Sequence, residues 1–261
     1  MKLNVIETLI RRGCIALTAV ALTATVGTAH ATNLASNGSF ETWSGGTNSS
    51  EFGTRFPSQT LAGWTTDAYA FVFTPSDPNA TSEFGADDVA LWGPGNGGVT
   101  PPNLGPSPDG GNFVGVDGSF TNNTSLLSQT INGLVVGQQT TVSFWWAAAQ
   151  QGPAPTQAGF SGPTDDQWVV SLGSETHSTA VINLASHSFS GWQQATLTFT
   201  PTATSEVLSF LAIGHPDSSE PPFTLLDGVN VSQTPEPTSL ALLATGLFSV
   251  GGVARLRFKK R

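Results

Sequence analysis

The side chains best equipped for chemistry in this 261-residue sequence are carboxylates and tryptophans. Between Thr32 and Gln233 sixteen acidic residues face a single base, Arg55, so that stretch carries a formal charge of −15. Such a surface repels nucleic acid and anionic lipid headgroups. Its carboxylates also suit calcium, a hard cation that takes oxygen ligands, although solubility alone accounts for most individual acids. The pairs Asp87-Asp88 and Asp165-Asp166 precede strand-like runs and read as solvated turn residues, because neighbours on a strand point to opposite faces. His177, His187 and His215 lie in Ser-, Gly- or Pro-flanked segments with no helix to gather them. The sequence has no Gly-x-Ser-x-Gly elbow, no His-Glu-x-x-His and no phosphate loop. Its one cysteine, Cys14, precedes Thr32, so the body has neither thiol nor disulfide. These absences predict a protein that is not an enzyme. A glycan hydrolase remains the third reading, because its paired acids converge only through the fold.

Sugar binding would need aromatic faces beside polar groups. The seven tryptophans are Trp43, Trp64, Trp92, Trp145, Trp146, Trp168 and Trp192. Trp64, Trp146, Trp168 and Trp192 occupy strand positions where burial is the default. Trp43 and Trp92 border Gly-rich loops and Trp145 opposes the face of Trp146, so these three are the candidates for stacking on a ligand.

The elements that must carry these side chains are strands. Period-two runs bounded by Gly, Pro, Asn or Asp recur at 68–74, 88–92, 112–116, 126–131, 140–147, 167–172, 180–184, 193–200, 206–213 and 223–231. In 140–147, Val142, Phe144 and Trp146 share one face while Ser143 and Trp145 share the other. Segments 93–111 and 150–166 are rich in Gly and Pro and read as long surface loops. Many short antiparallel strands predict an all-β fold, an antiparallel β-sandwich, over one domain at 32–233.

Several of these runs resemble galactose-binding-like jelly-roll modules, the fold of many carbohydrate-binding modules. The matching residues are Asn33-Leu34-Ala35-Ser36-Asn37-Gly38-Ser39-Phe40-Glu41, Gly63-Trp64, Leu127-Ser128-Gln129-Thr130-Ile131, Val142-Ser143-Phe144-Trp145 and Thr224-Leu225-Leu226-Asp227-Gly228-Val229-Asn230-Val231. Gly228 departs from the pattern, standing where a second Asp is common. The resemblance implies that the first and last strands lie together and hold a structural calcium. Glu41 and Asp227 would be its ligands, with backbone carbonyls near Asn37 and Ser39 completing the shell. The alternative is that both acids accept backbone hydrogen bonds at strand ends.

The two ends of the chain carry export information. Lys2, Arg11 and Arg12 form a charged start, 15–26 is apolar, and Ala29-His30-Ala31 is a small-x-small site for signal peptidase, so 1–31 reads as a secretory leader. At the other end Pro235-Glu236-Pro237 precedes an uncharged run, Leu240 to Ala254, and the basic residues Arg255, Arg257, Lys259, Lys260 and Arg261. At ~1.5 Å per residue the run spans about 22 Å, and Arg and Lys stems can snorkel to make up a bilayer's thickness. The basic residues would hold the cytoplasmic side. In order and spacing, 234–261 resembles the PEP-CTERM sorting signal of Gram-negative bacteria, with a transmembrane helix at 239–254. The resemblance implies an inner-membrane precursor that exosortase cuts near Pro-Glu-Pro and delivers to the cell surface or exopolysaccharide matrix. Together these readings predict an exported, non-catalytic module that binds extracellular polysaccharide. The alternative is a structural matrix protein with no small ligand.

Overall fold

The computed structural model describes residues 32–45, 50–74, 89–92, 107–118, 126–153, 158–216 and 220–233. Thirteen strands occur among them: β1 (Ser50–Glu51), β2 (Thr65–Thr66), β3 (Ala70–Phe73), β4 (Ala90–Leu91), β5 (Phe113–Asp117), β6 (Leu126–Asn132), β7 (Thr140–Gly152), β8 (Thr164–Leu172), β9 (Glu175–Ser178), β10 (Ile182–Leu184), β11 (Gln193–Phe199), β12 (Ser205–His215) and β13 (Pro222–Gln233). Each of the ten runs read from the sequence has its strand. The short β1, β2 and β9 were outside the pattern, because two to four residues carry too little alternation to register. The leader with Ala29 and Ala31, the pair Asp87-Asp88, and the whole of 234–261 lie outside the described residues. Among the described residues no helix is long and apolar enough to cross a membrane.

Every pairing is antiparallel, and the strands form two sheets, giving an all-β sandwich. One runs β1–β3–β5–β13–β7–β11 with β4 beside the end of β7; the other runs β10–β8–β12–β6–β2 with β9 beside β8. Alternation decides which side chains meet between the sheets. In β7, Val142, Phe144 and Trp146 point inward and are buried, whereas Ser143 and Trp145 stay half-exposed on the outer face. Phe210 joins the two halves of this core, with Phe144 edge-on at 5.1 Å and Trp168 edge-on at 5.7 Å. Trp168 is fully buried and donates its indole N–H to the Leu225 carbonyl at 3.1 Å.

β7 runs five residues past Ala147, where alternation had predicted its end. The reason is a second apolar cluster on the outer face of the larger sheet. Phe71, Phe73, Phe113, Phe189, Phe223 and Leu225 cover Ala147 and Ala149, so both faces of β7 are buried there and its sequence ceases to alternate. The 150–166 loop is correspondingly shorter. Asp165 and Asp166 are not turn residues but lie inside β8, with Asp166 fully buried.

The opening segment is not a regular strand. Residues 33–38 lie beside β13 through single bonds: Leu34 N to Val231 O at 2.7 Å, Val231 N to Asn33 Oδ1 at 2.8 Å, and Val229 N to Gly38 O at 3.0 Å. Buried Gln129 fastens the same segment from the other sheet. Its Oε1 accepts the Ser36 amide at 2.8 Å, and its Nε2 donates to the carbonyls of Ser36 and Gly63 at 2.9 and 3.0 Å. The two ends of the body are therefore joined, and Ala31–Pro235 is one compact unit.

Candidate cation site and aromatic strip

β13 breaks register with β7 between Asp227 and Asn230. At this bulge Gly228 has φ +59°, a left-handed conformation that costs other residues about 1–2 kcal/mol. A Cβ there would sit 3.1 Å from Asp109 Cβ and 3.0 Å from Trp145 Cδ1. Glycine here, where the resemblance leads to the expectation of a second Asp, fits its surroundings: Asp109 and Trp145 fill the space a side chain would take. Gly38 is as tightly held, since a Cβ on it would lie 2.0 Å from the Val229 carbonyl oxygen.

The bulge brings acids together. Asp227 is fully buried; its Oδ1 accepts the Gly228 amide at 2.7 Å, while its Oδ2 is buried with no hydrogen-bond partner. Burial raises its pKa to about 8, and the negative charges of Asp109 and Glu41 add to the rise. The Ser107 hydroxyl and Gly228 amide act against it. Glu41 is exposed, and its Oε1 accepts the Asn112 amide at 2.6 Å. Both acids named from the sequence do accept backbone bonds, and the structure also brings them near each other. The Asn37 carbonyl is already engaged, accepting from Phe40 N at 3.1 Å and Trp64 Nε1 at 3.0 Å, so it does not fit as a ligand. Ser107 and Asp109 were missed in the sequence because they sit in a Pro-Asp-Gly-Gly stretch that reads only as a turn. Among the described residues, no three His, Cys, Asp or Glu side chains are grouped closely enough to hold a metal by themselves. A calcium here would need backbone or water oxygens beside the carboxylates. The lone buried Oδ2 of Asp227, in a residue that feels the charges of Asp109 and Glu41, fits such a cation.

The tryptophans divide differently from the expectation. Trp64, Trp146 and Trp168 are core residues. Trp192 is only half-buried, packed on the second cluster. Trp92 offers no open face: it is 8% exposed, donates its indole N–H to Phe160 O at 2.8 Å, and has His187 stacked on its ring at 3.9 Å. Its Gly-rich flank suggested exposure, but the His187 loop folds over it. Trp43 is half-buried, bridged to Leu61 and packed partly against the main core. Trp145 is half-exposed on the outer face and lies in one cross-strand row with Gln194 of β11 and Asp227 of β13. Exposed Thr196 and half-exposed Ser143 and Asn230 continue the strip beside it.

The histidines are dispersed. His177 bonds Glu175 at 2.9 Å, and His215 Nδ1 lies 2.8 Å from Asp165 Oδ1. His187 Nε2 lies 2.7 Å from Ser161 Oγ, where buried Gln150 ties both loops by accepting the His187 amide and donating to the Gly162 carbonyl. Two further acids are perturbed by burial. Asp117 is raised to about 7, partly offset by Arg55, and Asp166 is raised well above its ordinary value despite a bond from Thr224. The Oδ2 of Asp166 and the nearby Thr164 Oγ1, two residues away on the same inward row, are buried without partners.

No protein-family model matches the chain, and no curated protein sequence matches it. Among solved structures it is similar to a CBM4 structure, at 17% identity and TM-score 0.36 over 77% of this chain and 99% of that one. It is also similar to the CBM22-1 xylan-binding domain of Xyn10C from Paenibacillus barcinonensis, at 12% identity and TM-score 0.31 over 71% of this chain and 92% of that one. A third likeness is to the Stig cyclase Fisc from Fischerella sp. TAU, at 17% identity and TM-score 0.41 over 79% of this chain and 99% of that one. At such scores these likenesses carry no argument about what this chain binds.

Proposed function

We propose that the protein is an exported, non-catalytic glycan-binding sandwich, closed by a calcium ion and carried to the cell surface by an exosortase-processed C-terminal signal. The observation behind the glycan reading is the Trp145 strip: one outward indole in a row of Gln, Ser, Thr and Asn side chains. A pyranose can lay its C–H face on such an indole while its hydroxyls meet Gln194, Thr196 and Ser143. Calcium would be held by Asp227 and Asp109, with Ser107 and Glu41 nearby, and would join the first segment to the last strand. It would supply charge neutralisation for the buried Oδ2 and stiffen the strand that borders Trp145.

The test is a glycan array with the body 32–233, followed by titration of any polysaccharide retained. Trp145→Ala should weaken binding about tenfold or more, as loss of an aromatic anchor does. Retention of no glycan by the unmutated body, or unchanged affinity in Trp145→Ala, would sink the reading. One feature favours a matrix protein without a small ligand. The outer face of the smaller sheet carries an open groove of about 440 Å³ lined by Ser36, Thr65, Ser128, Thr130 and Val207 but by no aromatic ring. Intact-mass analysis of the exported protein with and without the sortase tests delivery separately, because a product still carrying 240–261 in the normal host would mean a plain membrane anchor.

A further inference from the structure

The end of the sandwich from which the chain leaves toward 234–261 carries two exposed valines. Val135 and Val136 are each 54% exposed, among the few large hydrophobic side chains open to solvent. They project from the turn between β6 and β7, and that turn is held firmly. Leu134 N bonds Thr204 O at 3.1 Å, Gly137 N bonds Pro201 O at 2.9 Å, and Gln233, the last residue of β13, clamps the turn. Gln233 Oε1 accepts the Val135 amide at 2.9 Å, and its Nε2 donates to Val135 O at 3.2 Å and Thr140 Oγ1 at 2.8 Å.

By sequence, only the six residues Thr234–Ser239 separate Gln233 from the apolar run that begins at Leu240. Fully extended they reach about 20 Å. A bilayer that holds 240–254 therefore lies within that reach of Gln233, and so close to Val135, which is bonded to it, and to the adjoining Val136. Residues 133–138 carry no charge in a body that is otherwise acidic. Of the acids nearest this end, Glu206 is buried, whereas Glu175 stays partly exposed beside His177. Glu206 accepts Thr202 and Ala203 amides at 2.8 and 3.0 Å, and Glu175 accepts the Thr200 amide at 2.6 Å.

We infer that Val135 and Val136 are the face through which the tethered domain touches the bilayer, seating it end-on before its release. The inference rests on reading 240–254 as membrane-embedded. Two valines bind lipid weakly alone, but a short tether makes the contact intramolecular at an effective concentration on the order of millimolar. End-on seating would set the far end, with Ser161 and His187, about 40 Å away along β7, facing outward.

The test uses the chain as it stands after leader removal, 32–261, which has no cysteine of its own, reconstituted in phosphatidylcholine vesicles. A single cysteine at Val136→Cys, or at Ala158→Cys on the opposite end, carries an environment-sensitive fluorophore. Both residues are exposed, so labelling leaves the core intact. Alkali-resistant flotation reports anchoring on its own. The expected result is anchored protein in which spin-labelled lipid quenches position 136 several-fold more than position 158, and in which Val135→Asp removes that excess. Anchored protein with equal, weak quenching at both positions overturns the inference while sparing the membrane reading. Protein that does not float overturns both.

Discussion

Removing the charge of Asp227 should abolish a calcium response that is itself pH-dependent. Burial lifts this acid from 3.8 to about 8, so without a cation the folded protein keeps a proton that the unfolded chain releases near pH 4. Stability linked to that proton is intact below the unfolded value. It is lost as pH rises through the folded one, at up to ~1.4 kcal/mol per pH unit. Calcium takes the proton's place, so its effect should be small at pH 5, where the two compete, and much larger at pH 8, where the proton is half lost even without it. At a calcium concentration 100 times Kd, binding to the folded state alone adds about 2.7 kcal/mol. For a body of about 200 residues that is a melting shift of roughly 5–11 °C. Differential scanning calorimetry of 32–233 with calcium or chelator, at pH 5 and pH 8, measures it directly. Asp227→Asn preserves the acceptor for the Gly228 amide and should lose both the calcium shift and its share of the pH slope. A chelator-insensitive melting point at pH 8, or an equal calcium shift in Asp227→Asn, would refute the reasoning.

Gly228→Asp, which introduces the second Asp that the jelly-roll resemblance leads one to expect, should destabilise the body. The left-handed backbone costs about 1–2 kcal/mol, and the new side chain must displace Asp109 and Trp145; urea melts showing no loss would mean the bulge is not as drawn. Asp166→Asn keeps the acceptor for Thr224 and removes a buried acid whose pKa is raised well above 3.8. Relative to the unmutated protein its stability should therefore grow as pH rises, and parallel stability–pH curves from pH 5 to 8.5 would count against the buried charge.

The fold was legible where one face of a strand is wet. The alternation of Val142, Phe144 and Trp146 with Ser143 and Trp145 predicted the core and the outward indole together. It failed where both faces are covered. Ala147–Gly152 has no period because the Phe71–Phe223 cluster lies over it, so β7 looked shorter than it is. The same blindness hid Asp166: two adjacent acids read as a turn, yet one of them points into the sandwich and takes a bond from Thr224.

The candidate site was legible only in part, for a reason that applies to any site built from distant strands. Glu41 and Asp227 are 186 positions apart, and nothing in composition or spacing joins them; a resemblance did. Asp109 and Ser107 had no signal beyond turn chemistry. What exposes them is the bulge at Gly228, which has no side chain where Asp109 and Trp145 crowd in, next to a buried Asp227 Oδ2 that has no partner and feels the charge of Asp109. A packed β-structure with one base and no disulfide has few ways to tolerate such an atom. It must be protonated, which makes stability fall with pH, or it must meet a cation, which makes stability depend on calcium instead. The indole of Trp145 stands against this same bulge, so whichever solution the protein uses also sets the rigidity of the surface on which a sugar would stack.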